Sequence, residues 1–229
     1  MTIGLLQCDH VVPELAAIHG DYDDMFRRWL PAEWQVFDLT AGSTPQPEDC
    51  DAWVATGSRY SVYDDVDWIR RFEALVHGIH QARLPFLGVC FGHQMIGQAI
   101  GGRVAKSERG WGVGVHQFRI ARPEPWMTPS LEEAALLMSC QDQVEDLPPE
   151  AVVLASNAHC PIAMLRCGSL LGVQGHPEWL PDYARDLLLL RSERIGAACT
   201  DAALASLATP THTRELADWS RRWLHGAML

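Results

Sequence analysis

Apolar runs alternate with helical patterns along the first hundred residues of the chain. Four short runs predict buried strands at residues 3–8, 35–39, 52–55 and 86–89. Apolar residues at helical spacing predict a helix that is capped by Asp21 and ends at Pro31, and two further helices at residues 65–83 and 91–100. Strands that alternate with helices in this way indicate a parallel, doubly wound sheet.

The pattern changes in the second half of the chain. Alternating polar and apolar residues predict a strand at 113–120 with one face in water, and apolar runs predict short strands at 151–155, 162–166 and 170–174. Helices are predicted at residues 182–194 and 213–224. Because no repeat and no linker interrupts the chain, we expect residues 1–229 to form a single domain.

Composition and charge narrow the class of protein. The chain has 229 residues, of which 48% are hydrophobic and 21% charged, as is usual for a globular protein. Its 18 basic and 29 acidic residues give a net charge of −11, which disfavours nucleic acid as a partner. The N-terminus lacks a basic region, and no stretch approaches the roughly 20 apolar residues of a membrane helix. We therefore expect a cytoplasmic protein that does not bind membranes.

Cysteine chemistry is indicated at one position. The seven cysteines contain no CxxC pair, so a zinc or redox site is disfavoured and no metal is expected. Cys90, however, lies in a Gly-x-Cys-x-Gly pattern between an apolar run and a predicted helix, the arrangement of a nucleophile elbow. Such a tight turn presents the central side chain at the carboxyl end of the sheet, and the helix N-terminus favours a thiolate. Alternatively, Cys90 is a small core residue and the glycines form an ordinary turn.

A histidine and a carboxylate follow the last predicted strand. His176 stands on a loop directly after Gly175, Pro177 fixes the backbone, and Glu178 lies two residues beyond His176. A thiol nucleophile needs a base, and the base needs a carboxylate that fixes its tautomer. His176 and Glu178 can supply both from one rigid loop. The alternative is a surface loop histidine, one of ten in the chain.

A third turn follows the strand at residues 52–55. The sequence Thr56-Gly57-Ser58 would lie beside the elbow in a parallel sheet. A glycine turn at this position lets a backbone amide face a reacting carbonyl and complete an oxyanion hole. The signal is weak when taken alone, because such turns are common.

Together, three segments resemble the class I glutamine amidotransferase family: GVCFGHQ at 88–94, QGHPE at 174–178 and TGS at 56–58. The resemblance covers about residues 3–194, with a C-terminal helical extension at about 200–229. It implies an α/β fold, namely a flavodoxin-like, mostly parallel sheet flanked by helices, with an added small β region. The family's substrates are glutamine and γ-glutamyl compounds.

The same resemblance implies residue roles. Cys90 attacks the side-chain amide, His176 moves the proton, Glu178 orients His176, and a γ-glutamyl thioester forms. The backbone amides of Ser58 and Phe91, with Gly57 in the turn, would form the oxyanion hole. The implied substrate-binding residues are Gln94 and, through backbone groups, Gln141, Gln143 and Val144. Related chains often carry histidine where this chain has Cys140, a departure that could change specificity.

Several functions remain open at this stage. The chain resembles members similar to the glutaminase domain of GMP synthase, including γ-glutamyl peptidases, which favours a free-standing hydrolase that needs no cofactor. The second hypothesis is an amidase subunit that donates ammonia to a separate synthetase. A non-catalytic regulatory protein on the same fold is the third, although Cys90, His176 and Glu178 are all present. Another cysteine-elbow hydrolase on the same kind of sheet is disfavoured by the late His-Pro-Glu segment.

Overall fold

A large sheet with helices on both faces organises the chain, and the computed structural model describes residues 1–226 of it. Eleven strands occur in this range: β1 (Ile3–Gln7), β2 (Trp34–Asp38), β3 (Ala52–Ala55), β4 (Phe86–Val89), β5 (Arg103–Lys106), β6 (Gly112–Ile120), β7 (Glu133–Cys140), β8 (Asp142–Asp146), β9 (Val152–Ser156), β10 (Met164–Cys167) and β11 (Leu170–Val173). The helices are α1 (Pro13–His19), α2 (Tyr22–Trp29), α3 (Asp67–Gln81), α4 (Phe91–Ala99), α5 (Pro181–Leu190), α6 (Ser192–Ile195), α7 (Ala197–Ser206) and α8 (Thr213–Leu224).

The large sheet has the strand order β2-β1-β3-β4-β11-β10-β9-β6-β7. Its first five strands are parallel, in the order 2-1-3-4-5 that defines a flavodoxin-like sheet. The predicted α/β fold with helices around this sheet is therefore confirmed. Since ligands bind at the carboxyl ends of strands in such sheets, the ends of β3, β4 and β11 are the expected location of the site.

The expected added β region continues the same sheet. Strands β10, β9, β6 and β7 are antiparallel, while β5 and β8 form a separate two-stranded sheet. The antiparallel part curls back on the parallel part, because the N–H of His176, just beyond β11, donates to Leu137 O of β7 at 2.8 Å. This contact brings the middle of β7 beside the carboxyl end of β11.

Alternate residues of the parallel strands supply two apolar layers. Leu5 packs with Phe26 of α2 and Trp223 of α8 on one face, whereas Leu6 packs with Phe72 of α3 on the other. Helices α2 and α8 thus cover one face, and α3 and α4 cover the other. The two-sided burial explains why these strands read as continuous apolar runs rather than as alternating patterns.

Some elements were missed or shifted by the sequence patterns. Helix α1 and strands β5, β7 and β8 were not predicted. Strand β7 reads EAALLMSC, a run rich in residues that favour helices, and its pairing with β6 overrides that preference. The predicted helix at 182–194 is divided at Arg191 into α5 and α6. The predicted extension contains α7 and α8, and its residues 227–229 lie outside the described range. Within residues 1–226, no helix is both long and apolar enough to cross a membrane.

Candidate active site

Cys90 occupies the turn between β4 and α4 in a conformation that few non-glycine residues adopt. Its φ is 51° and its ψ is −97°, a strain of roughly 1–3 kcal/mol. Backbone hydrogen bonds hold it there, from Cys90 N–H to Val173 O and from Gln94 N–H to Cys90 O, both at 2.9 Å. The predicted elbow geometry is present.

The two glycines of the elbow are required by close backbone packing. A Cβ atom on Gly88 would lie 2.3 Å from the carbonyl carbon of Gly92, and one on Gly92 would lie 2.9 Å from Cβ of Ala55. Neither distance can be accommodated without moving β3, β4 or α4 apart. The alternative of an ordinary turn is therefore disfavoured, because the glycines permit α4 to start directly against the sheet.

Gly57 brings the second turn against the same centre. Thr56 fixes this turn, since its hydroxyl accepts from Cys8 N–H at 3.0 Å and donates to Gly57 O at 2.9 Å. A Cβ on Gly57 would lie 2.8 Å from His176 Cε1 and 3.6 Å from Cys90 Cβ. The absence of a side chain at Gly57 therefore lets the thiol and the imidazole approach each other.

His176 and Glu178 form a buried pair beyond β11. His176 Nδ1 lies 2.7 Å from Glu178 Oε1, and both side chains are almost completely buried. Burial disfavours the charged ring, but the charges of Glu178 and Cys90 outweigh it and raise the pKa of His176 to about 9. Because Glu178 occupies Nδ1, Nε2 is the ring nitrogen left free for the neighbouring Cys90 thiol. Within residues 1–226, Glu178 Oε2 has no hydrogen-bond partner, so the carboxylate depends on the imidazolium for its compensation.

Trp179 is a site residue that the sequence patterns missed. Its ring lies parallel to the His176 imidazole, with centroids 3.6 Å apart and an interplanar angle of 9°. Tyr183 meets the Trp179 ring in an edge-on arrangement, with centroids 5.0 Å apart. The indole therefore stacks on the imidazole and favours its protonated form. The aromatic residue after the His-Pro-Glu segment is the signal that could have found it.

A chain of amide side chains leads to the sulfur atom. Gln174 Nε2 lies 3.5 Å from Cys90 Sγ, and Gln174 Oε1 accepts from Gln94 Nε2 at 3.2 Å. Gln94 Nε2 also donates to Asp142 O at 2.7 Å. A donor aimed at sulfur favours the thiolate over the thiol. Gln94 is thus placed at the site, and Gln174 is an additional thiol contact without a predicted role.

Two backbone amides are available near the thiol. Within the described range, neither Ser58 N–H nor Phe91 N–H donates to a backbone carbonyl of a turn or loop. Ser58 lines the cavity that contains Cys90, and Phe91 N–H belongs to the first residue of α4. This placement agrees with the predicted oxyanion hole, which remains a prediction.

The other predicted substrate-binding residues divide into two groups. Gln141 lines the cavity with Cys90, as does Cys140, although Gln141 O already accepts from Ser107 N–H at 2.9 Å. Gln143 and Val144 are buried in β8, away from the cavity lining, and a Cβ on Gly97 would lie 2.9 Å from the Val144 side chain. The structure thus brings Gln94 and Gln141 to the cavity, and the backbone roles of Gln143 and Val144 remain predictions.

The cysteines near the site differ from Cys90 in their surroundings. Burial raises the pKa of the thiols of Cys8 and Cys140, and it raises the pKa of Cys160 to about 12. Such thiols stay protonated at neutral pH and are poor nucleophiles. Cys90 lines the same cavity of about 240 Å³ as Cys140, but it lies at a helix N-terminus with His176 beside it.

The fold and this arrangement define a class of protein with a cysteine at the carboxyl edge of a parallel sheet and a histidine–carboxylate pair beside it. The family model of class-I glutamine amidotransferases matches residues 56–190, which contain all of these features. The chain belongs to the class-I glutamine amidotransferase family.

Relatives and solved structures agree with this assignment. The chain is 30% identical to γ-glutamyl peptidase 5 of Arabidopsis thaliana over 172 residues, covering 71% of this chain and 67% of that protein. It is 35% identical over 137 residues to the GMP synthase of Pyrobaculum aerophilum, covering 57% of this chain but only 25% of that protein. A glutamine amidotransferase structure from Thermotoga maritima has a TM-score of 0.76 at 17% identity and covers 100% of this chain and 97% of its own.

Proposed function

We propose that the protein hydrolyses the side-chain amide of a γ-glutamyl compound, releasing glutamate and an amine, or ammonia when the compound is glutamine. The observation that supports this proposal is the placement of Cys90 at the elbow, beside His176 that is held 2.7 Å from Glu178. Thiolate, base and orienting carboxylate are the three groups that acyl transfer from an amide requires.

The reaction begins with transfer of the Cys90 proton to His176 Nε2. The thiolate attacks the amide carbon, a C–S bond forms, and the negative charge on oxygen is stabilised by the amides of Ser58 and Phe91. Collapse breaks the C–N bond, and the leaving amine takes the proton from His176. Neutral His176 then accepts a proton from water, the hydroxide attacks the thioester, and the proton returns to Cys90 as glutamate leaves.

The raised pKa of His176 suits the protonation of the leaving amine. With a pKa of about 9, the ring retains the proton that it takes from Cys90 and can donate it to a departing amine. Glu178 keeps that proton transfer on Nε2, because it occupies Nδ1. The leaving amine therefore meets a general acid that is already protonated.

A second candidate is an amidase subunit that supplies ammonia to a separate synthetase. The similarity to a quarter of a GMP synthase favours it, because that protein carries much additional chain. The similarity to four γ-glutamyl peptidases of Arabidopsis thaliana favours the hydrolase. The two candidates share the chemistry at Cys90 and differ in the leaving group and in the need for a partner.

The test is glutamate release by the purified chain from glutamine and a panel of γ-glutamyl amides and peptides. We expect release from at least one substrate by the wild type, and none by Cys90→Ala. Cys199→Ala is the matched control, since it removes a thiol from α7, and it should retain full activity. Release that persists in Cys90→Ala would refute the proposed nucleophile. No release by folded wild type would favour the partner-dependent subunit.

A further inference from the structure

The cavity at Cys90 has a charge opposite to that of the whole chain. Although the net charge is −11, four cationic side chains line this cavity, and the single carboxylate among its lining residues is Asp142. The cations are Arg59, Lys106, Arg191 and Arg194. A cationic pocket in an acidic protein concentrates anions at that one place.

Two of the charged groups at the cavity already have partners. Arg59 binds Asp9 through two of its nitrogen atoms, with the closest contact at 2.6 Å. Asp142 accepts hydrogen bonds from Ser61 Oγ and from Tyr63 OH, the latter at 3.0 Å. These interactions leave Lys106, Arg191 and Arg194 as the cations of the cavity still to be considered.

The other three cations of the cavity form no salt bridge with a described residue. Among the residues that the structure describes, no carboxylate oxygen lies within 4.0 Å of Lys106, Arg191 or Arg194. Within residues 1–226, nine of the other fifteen arginines have such a partner and six do not. Lys106 stands across the β5–β8 pair from Asp142, whereas Arg191 and Arg194 line the same cavity without a carboxylate partner in that part of the chain, an arrangement that a bound anion would explain.

The two arginines are held in place by neutral groups. Arg191 stands at the break between α5 and α6, and its Nη1 donates to Ser139 Oγ at 3.3 Å. The Arg194 guanidinium lies over the Trp111 ring, 5.1 Å from its centroid. Contacts of this kind fix the guanidinium groups without neutralising them, which leaves their charge for a ligand.

Counting the charges of the cavity and of a substrate indicates which part of the substrate lies against Arg191 and Arg194. A γ-glutamyl group carries one α-carboxylate and one α-ammonium, so it needs one cation and one carboxylate, and Asp142 can supply the latter. At least two cations then remain without a counter-charge. Ammonia as the leaving group carries no such counter-charge, whereas the amine released from a γ-glutamyl amino acid carries a carboxylate.

We propose that Arg191 and Arg194 bind a carboxylate of the leaving group, which makes γ-glutamyl amino acids or peptides the substrate class of this site. The proposal rests on the proposed hydrolysis at Cys90 and narrows its substrate. Trp111, beneath Arg194, would then cover the side of the leaving group. A hydrogen-bonded contact to a charged group changes specificity by roughly 10- to 100-fold.

The test uses two substrates that differ only in this charge, γ-glutamylglycine and γ-glutamylglycinamide. We expect the wild type to have a kcat/KM roughly 10- to 100-fold higher for the acid than for the amide. Arg191→Gln and Arg194→Gln should lose most of this preference by slowing the acid while leaving the amide unchanged. Arg185→Gln, an exposed change on α5, is the matched control and should keep the preference.

Two results of these rate measurements would overturn the proposal. Equal rates of the wild type on the two substrates would overturn the proposal. Equal losses on both substrates in the arginine variants would assign these cations to the shared γ-glutamyl α-carboxylate and would also overturn it. Arg194→Gln alone decides the test if Arg191→Gln does not fold.

A binding measurement separates this proposal from the proposed function. Cys90→Ala is titrated calorimetrically with the same acid and amide, so that no turnover is required. Binding of the acid at least roughly 10-fold tighter than the amide, lost in a Cys90→Ala/Arg194→Gln chain, supports the subsite even if no hydrolysis is found. Equal affinities would overturn the subsite even if Cys90 proves to be the nucleophile.

Discussion

The stacking of Trp179 on His176 leads to a prediction about the pH dependence of activity. The two rings are 3.6 Å apart, nearly parallel and shielded from water. An imidazolium on an indole face in such surroundings gains about 1–2 kcal/mol. Since one pKa unit corresponds to about 1.4 kcal/mol, Trp179→Leu should lower the pKa of His176 by roughly one unit from its value of about 9.

The sign of the effect on activity follows from the role of His176 as the acid. Because the leaving amine takes its proton from the protonated ring, activity is lost as pH rises through the pKa of His176. The alkaline limb of kcat/KM for a γ-glutamyl substrate should therefore move down, from near pH 9 towards pH 8, in Trp179→Leu. The position of the His176 ring resonances during an NMR titration measures the same pKa without turnover.

Two further variants separate the effect of the stacking on the pKa of His176 from a general disturbance of the structure. Trp179→Phe keeps an aromatic face and breaks no hydrogen bond, because the indole N–H is buried without a partner among residues 1–226. This variant should shift the alkaline limb of kcat/KM by less than Trp179→Leu does. Tyr183→Phe alters only a hydroxyl beyond the indole and should leave the limb in place. An unchanged pKa of His176 in folded Trp179→Leu would refute the reasoning.

Three other changes test the site and the core. Gly57→Ala places a Cβ 2.8 Å from His176 Cε1, so kcat should fall by roughly 100-fold while the protein remains folded; wild-type rates would contradict the close approach. Gln174→Met removes the donor 3.5 Å from Cys90 Sγ, and alkylation of Cys90 by iodoacetamide near pH 6 should slow by roughly 10-fold; an unchanged rate would exclude that role. Trp223→Ala, far from the thiol, should lower the free energy of unfolding by about 3–5 kcal/mol in urea titrations, and a loss below 1 kcal/mol would contradict its core position.

The local turns could be predicted from the sequence because close packing restricts them to few residue types. Gly88 and Gly92 have no room for a Cβ, so a Gly-x-Cys-x-Gly pattern after an apolar run specifies the elbow with little dependence on the rest of the chain. The helices α3 and α8 were predicted because their apolar stripes face a sheet. In each case, the information lies within about twenty consecutive residues.

Contacts between distant segments could not be predicted in the same way. The hydrogen bond by which Leu137 O of β7 holds the His176 backbone joins residues 39 positions apart in the chain. Strand β7 itself was missed, since a run of Ala, Leu and Met does not distinguish a buried strand from a helix. The placement of Arg191 and Arg194 depends on the break between α5 and α6, which the continuous helical pattern of residues 182–194 does not indicate.

Strand β7 contacts both His176 and Arg191. Leu137 O fixes the backbone of His176, and two residues further on, Ser139 Oγ contacts Arg191. Cys140, at the end of the same strand, lines the cavity. Cys90 and His176 thus follow strands of the parallel half of the sheet, while β7 of the antiparallel half contacts both the His176 backbone and Arg191, which we propose binds the leaving group. We therefore expect a change at Ser139 to alter the leaving group that is accepted without altering the elbow.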